Sequence, residues 1–453
     1  MTAVLQGGST RLMPDGPALR LPHKLVLVAV ATSPFQKALT LDAGFPLKIS
    51  EVLVVVAGGA LLLQLRSRPK VPAHLRPQAG WLGALGALVA LAALVNLVTA
   101  TPPPPYPGYG RSLTTDLLLY VGYAAMVFVV WRTMLDISSR LILDAMAWAV
   151  RLAVLFCLLQ WYLYETAQES LIRALGFEMV IGQAYGTLMP RNGPFYEGNN
   201  LGVFAVLAAL MMLRRRDGWG VAGAVFCVGY SQSTSALLTV FAALAIAALL
   251  VASPRWRFRV VVTGLLALAV VVAVPSARQY VQFQAEKVGL SAGSGTTDSG
   301  DRTDLSRSLR SAKNGVGIDM TLAHPVAGVG PGRFGAWFGE YADPADFPPG
   351  YTTGGPHRDS RRIVENGYVQ VAAEVGLVGL FCLVMFLFGL ARATARVGFV
   401  ELALTVAIML LLVTAAAWTL LALWFALGYQ AAVTREYGDG LVPAPRATAE
   451  APT

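Results

Sequence analysis

PSARQYVQFQAEKVGLSAGSGTTDSGDRTDLSRSLRSAKNG, residues 275–315, opens the one long polar interval in an otherwise apolar chain. The interval continues through AHPVAGVGPGRFGAWFGEY (323–341) and GGPHRDSRRIVENGY (354–368). Between Pro275 and Val364 it holds ten Lys and Arg residues and two of the four His. Apolar runs flank it on both sides, so the chain reads as a membrane protein with one large extramembrane loop. Cations gathered there in such number point to an anionic partner.

Composition supports that reading. Of 453 residues, 55% are hydrophobic and only 13% charged, with a mean hydropathy of +0.58. A soluble chain has no interior large enough for that much apolar surface. The net charge of +9 has a local source, because basic residues cluster in the short loops between apolar runs. Nucleic acid is therefore excluded as a partner. Cys157, Cys227 and Cys382 all sit inside apolar runs, spaced for neither a disulfide framework nor a metal site, and read as small core residues. The polar N-terminal stretch is too long for a standard signal peptide, so the first apolar run is expected to be retained.

A helix needs about 20 apolar residues to cross the hydrocarbon core. On that rule an all-α bundle of about twelve transmembrane helices is expected. Residues 1–24 form a cytoplasmic tail and 25–274 carry spans one to nine. Residues 275–364 form a large, partly helical periplasmic or extracellular loop. Spans ten to twelve occupy 365–430, and 431–453 a disordered tail. The tenth span is read as Gly367–Leu390, and the last two split one apolar run near Val413–Ala416. Sidedness follows from the loops. Arg66, Arg68, Lys70, Arg76, Arg132, Arg140, Arg214, Arg215, Arg216, Arg255, Arg257, Arg259, Arg392 and Arg396 fall on one side. Lys37, Lys48, Arg111, Arg173 and Arg191 are the short-loop cations of the other. The basic side is cytoplasmic by the positive-inside rule, which puts the large loop outside.

Four motifs gather on that outer side. In MPRNGPFYEGNNLG (189–202), Gly193 and Pro194 set a turn, and Asn199 or Asn200 is placed to cap the next helix. Arg191 then lies near a helix N-terminus, where anions are favoured. SQSTSA (231–236) is a polar turn fit to cap a helix. In TDLSRSLRSAKNGVGIDMTLAHPVAGVGPGRF (303–334), Thr303 or Asp304 is placed to start a helix running to about Leu322. Arg307, Arg310 and Lys313 share one face of it, and Leu305, Leu309, Val316 and Met320 an apolar one. In HRDSRRIVENGYVQVAAEVG (357–376), Glu365 and Asn366 stand at the mouth of the tenth span beside Arg361. Glu374 lies deeper.

These four pieces, in this order, resemble the O-antigen ligase and polymerase superfamily, which includes lipopolysaccharide ligases, Wzy-type polymerases and exopolysaccharide polymerases. The resemblance runs from about residue 190 to 380, with HPVAGVGPGRF followed by ENGYVQVAAEVGLVGL as its most specific part. It implies a bacterial inner-membrane glycosyltransferase that takes a glycan from an undecaprenyl-diphosphate carrier. The acceptor would be another glycan or lipid A core, and neither metal nor other cofactor is required. Arg191 and Arg310 are the implied diphosphate ligands, with Arg302 and Arg307 as alternates. Arg361, Asn366, His324 and His357 are further substrate-contact candidates. Glu365 stands where ligases of the family place a His, which makes it the implied general base and favours the polymerase branch. A chain-length regulator is an expected partner beside membrane lipids. Outside this class, a transporter of a lipid-linked anion would place ionisable groups near the bilayer midplane.

Overall fold

The computed structural model describes residues 19–37, 40–42, 46–64, 71–99, 113–177, 191–251, a few positions between 254 and 273, 298–347, 351, 363–416 and 420–440. The order is α1 (Leu21–Ala31), β1 (Leu41–Asp42), β2 (Pro46–Leu47), α2 (Ile49–Leu63), α3 (Arg76–Thr99), α4 (Leu113–Met134), α5 (Ser139–Glu165) and α6 (Glu169–Ala174). Then follow α7 (Gly198–Arg215), α8 (Gly218–Ser231), α9 (Thr234–Leu250), α10 (Asp298–Ala323) and α11 (Phe334–Tyr341). The chain closes with α12 (Gly367–Val375), α13 (Leu377–Val397), α14 (Phe399–Leu411) and α15 (Leu421–Gly438). The two-residue strands pair with each other, antiparallel.

Burial sorts the helices. In α7 every residue from Leu201 to Met212 is buried, and in α15 every residue from Leu421 to Val433. A helix that is apolar all round belongs in the middle of a bundle. By contrast α3 leaves Leu91, Leu94, Leu97 and Val98 exposed, and α5 leaves Trp148, Leu155 and Tyr162. Large apolar faces of this kind suit lipid. Among the described residues, four helical segments are long and apolar enough to cross a membrane: Ala73–Val98, Leu117–Met134, Ser139–Glu165 and Leu377–Val397. Five more apolar helices, α1, α2, α8, α9 and α14, are shorter. The last stretch of the expected spans one to nine, residues 260–274, falls almost wholly outside the described residues.

The tenth expected span is not one helix. It breaks at Gly376 (φ +88°) into α12 and α13. There the Leu377 N–H donates to the Pro325 carbonyl at 2.8 Å, so the strap after α10 occupies the break. A β-carbon on Gly376 would collide with the Val326 carbonyl, which is why glycine stands there.

Loop contacts fix which helix ends lie together. The N–H groups of Gln36 and Lys37 donate to the Pro194 carbonyl, Gly367 N–H donates to the Leu412 carbonyl, and Arg333 reaches the Asn96 carbonyl. At the opposite end Arg214 pairs with Glu401 at 2.5 Å, and Ser139 donates to Glu436.

Candidate active site

α10 starts earlier than its sequence predicts. It begins at Asp298, so Thr303 and Asp304 lie inside the helix and do not cap it. It ends at Ala323, just before His324-Pro325. Val316 and Met320 are buried in a small separate core with Phe334, Phe338, Phe347, Tyr351 and Val364, against which Leu309 packs half-buried. This core anchors α10 on α11 and α12. Gly317 allows the close approach, since a β-carbon there would run into Val369.

That docking aims Arg310 and Lys313, one helical turn apart, at the mouth of α12. Arg310 Nε lies 2.6 Å from Glu365 Oε2. Lys313 Nζ lies 3.5 Å from Glu365 Oε1. The carboxylate thus divides its two oxygens between two cations. Lys313 is buried, and that burial lowers its pKa below the ordinary lysine value against the opposing pull of Glu365 and Glu197. Two physical effects conflict here. Pairing favours the charged amine and desolvation disfavours it, and desolvation is the larger.

Asn366 holds the same junction. Its side chain caps α12 by accepting from the N–H groups of Tyr368 (3.0 Å) and Val369 (3.2 Å). Tyr368 in turn donates its hydroxyl to the Met409 carbonyl of α14. Asn366 therefore spends its carboxamide oxygen on the backbone, which leaves its NH₂ as the donor available to a substrate.

Arg191 stands on the loop that leads into α7. Its stem lies against Gly198, within 2.9 Å of where a β-carbon on that glycine would sit, at the first residue of α7. The N-cap is Glu197, so Asn199 and Asn200 fall in the first turn, inside the expected cap position. The Arg191 loop is fixed from below by polar groups. Asn192, fully buried, accepts from Gln160 at 2.6 Å and donates to the Phe195 carbonyl at 2.5 Å. Gln160 also accepts from Gly193 N–H and from the Tyr230 hydroxyl. The SQST turn closes over the same helix start. Ser233 caps α9 by accepting from Ala236 N–H, and Gly202 lies where any side chain would strike Ser233 and Ala236. Ser231 donates to the Val228 carbonyl and Ser233 shares a hydrogen bond with Ser235. Their hydroxyls serve the turn.

The other candidates separate. His324 bonds the Tyr341 hydroxyl at 2.9 Å and packs edge-on against Trp337. It stands fourteen residues beyond Arg310, about 21 Å along the helix at 1.5 Å per residue, so the fold does not bring it to Glu365. Arg302 and Arg307 lie on α10, but their side chains are outside the described residues, as are His357 and Arg361 altogether. A cleft of about 500 Å³, lined by Ser311, Gly315, Asp319, Tyr341, Asp343 and Asp346, opens on the opposite face of α10. Sequence reasoning passed over Glu197, Gln160 and the buried Arg333. Lys313 it placed on the cationic face without a role. Its register three residues after Arg310 was the available signal. Gln160 gave none, being one polar residue in an apolar helix. Among the described residues no cluster of His, Cys, Asp or Glu is placed to hold a metal.

Three stretches far apart in sequence thus meet at one end of the bundle: the Arg191–Gly202 loop, the SQST turn, and α10 against the head of α12. Residues 219–384 match the O-antigen ligase family model. The matched segment of this O-antigen ligase family contains the SQST turn, Arg310, Lys313, the HPVAGVGPGRF strap and Glu365, whereas Arg191 lies upstream of it. No curated protein matches the chain. Members of the family are glycosyl-transferring enzymes that work on lipid-linked glycans and an acceptor. With four helices long and apolar enough to span a bilayer, the chain has the build of a helical membrane protein, and its residues 219–384 are similar to that family.

Proposed function

We propose that the protein is a membrane glycosyltransferase of surface-polysaccharide assembly, a Wzy-type polymerase acting on undecaprenyl-diphosphate-linked repeat units. The observation that carries this is the Arg310–Glu365 pair at the mouth of α12, within a segment matching the family. Twelve spans, with the loop end outside the cytoplasm of a bacterial inner membrane, are part of the same proposal.

The chemistry follows from the groups present. The acceptor hydroxyl oxygen forms a bond to the donor's anomeric carbon, and the bond from that carbon to the diphosphate oxygen breaks. The electron pair leaves with the diphosphate, where Arg310 and Arg191 neutralise it through charge-assisted hydrogen bonds. The hydroxyl proton goes to Glu365. Attack opposite the leaving group inverts the anomeric centre. Arginine charge does here the work that a divalent metal does elsewhere, so the reaction is metal-independent. An exposed ion pair is worth about 1 kcal/mol or less, so a doubly charged diphosphate can take Arg310 from Glu365. That exchange unmasks the base as the donor binds.

A ligase that transfers the glycan to lipid A core or a protein is the second reading, favoured by the description of the matching family. Purified protein with lipid-linked repeat units distinguishes the two. A ladder of lengthening lipid-linked chains supports the polymerase, whereas transfer to lipid A core without lengthening supports the ligase.

A further inference from the structure

Glu365 faces two cations of different character. Arg310 has 43% of its side chain exposed and Lys313 only 4%. They hold different oxygens, Arg310 at Oε2 and Lys313 at Oε1. A bulky lipid diphosphate can reach the exposed guanidinium but not the amine beneath it. We propose that Lys313 is a positioning residue: it keeps Glu365 aimed by Oε1 while Arg310 turns to the diphosphate, leaving Oε2 as the atom that receives the acceptor proton. This rests on the glycosyltransferase reading and assigns a task to a buried charge that the reading leaves unused.

The surroundings fit that task. Among the described residues, the charged groups facing Lys313 are Glu365, Arg310 and Glu197. Once a diphosphate holds Arg310, Lys313 remains as the described cation against Glu365, with Glu197 from the head of α7 supporting its charge. Burial lowers the Lys313 pKa, so the residue is not simply a stabilising ion pair. Replacing a buried charge by an apolar group of similar shape is often neutral or stabilising. Glu365 is part-exposed and keeps Arg310, so that replacement leaves no stranded buried carboxylate.

The test uses the full chain in detergent, with undecaprenyl diphosphate as binding probe and lipid-linked repeat units as substrate. Lys313→Met is expected to bind the probe like wild type, yet to transfer about 100-fold more slowly at saturation, as misplaced catalytic groups do. Lys313→Arg keeps the charge and should retain much of the rate, and its result stands if Lys313→Met does not fold. Two results overturn the proposal: Lys313→Met losing probe affinity as Arg310→Ala does, which makes Lys313 a diphosphate ligand, or either variant giving the wrong rate, Lys313→Met the wild-type rate or a folded Lys313→Arg none. Wild-type protein that neither binds the probe nor transfers sugar overturns the functional reading instead, so the two failures are distinct.

Discussion

Val329 donates its backbone N–H to the Ala373 carbonyl at 2.8 Å, and Gly330 N–H follows to Glu374 at 3.1 Å. The glycine strap after α10 is thus laced to the last turn of α12. The two parts of the candidate site, Arg310 on one helix and Glu365 at the head of the other, are held in one frame.

That lacing makes two glycines indispensable. Gly328 (φ +62°) and Gly376 (φ +88°) both have left-handed backbones, and a β-carbon on either would strike backbone atoms of the opposing segment. Gly328→Ala and Gly376→Ala are each expected to lose about 2 kcal/mol or more through strain and overlap, read as lower melting temperatures in detergent. Gly229→Ala, in open space on α8, should melt at or slightly above wild type.

Removing Asn192 tests the second support. Asn192→Ala strands the Gln160 amide and the Phe195 carbonyl in a buried setting. It should cost about 1–3 kcal/mol and lower activity by loosening the Arg191 loop. Unchanged melting and unchanged transfer would show that the loop is held by something else.

Lys313 gives a pH dependence with a definite sign. Its folded pKa lies below the ordinary 10.5 because burial disfavours the charge. Between the folded and ordinary values the unfolded chain binds more protons, so the Lys313 contribution to stability rises with pH across that window and is least favourable below it. Lys313→Met should lack that rise. Activity should follow the opposite course, falling as the amine loses its proton below pH 10.5. Denaturant midpoints and saturated rates across alkaline pH check both.

How much of this could be read in the sequence depends on which forces set each feature. Apolar runs are local signals, so the turn near Val413–Ala416 was legible. So was the end of α10, where His324-Pro325 cannot continue a helix. The break at Gly376 was not, because an apolar run with one glycine looks continuous until the strap is seen lying across it. The α10 start was missed because Thr303 and Asp304 mimic a cap inside a longer helix. The cationic face was legible by its spacing. The partner of each cation was not, since Glu365 lies 52 residues after Lys313 and meets it through packing alone.

Metal independence is tested by chelation. Transfer by the purified protein should proceed at an unchanged rate in excess EDTA, as expected where arginines rather than a divalent ion neutralise the leaving group. A rate abolished by EDTA and restored by magnesium would contradict the proposed role of Arg191 and Arg310.

Arg310 and Glu365 are proposed to act as one catalytic unit on a lipid-linked glycan. The most direct measurement is chain growth from undecaprenyl-diphosphate-linked repeat units by purified wild type, Arg310→Ala and Glu365→Gln. Wild type is expected to give a ladder of lengthening chains, and each variant a rate reduced about 100-fold or more, the scale of losing a charge stabiliser or a general base. Ladders made at the wild-type rate by both variants would contradict the proposal.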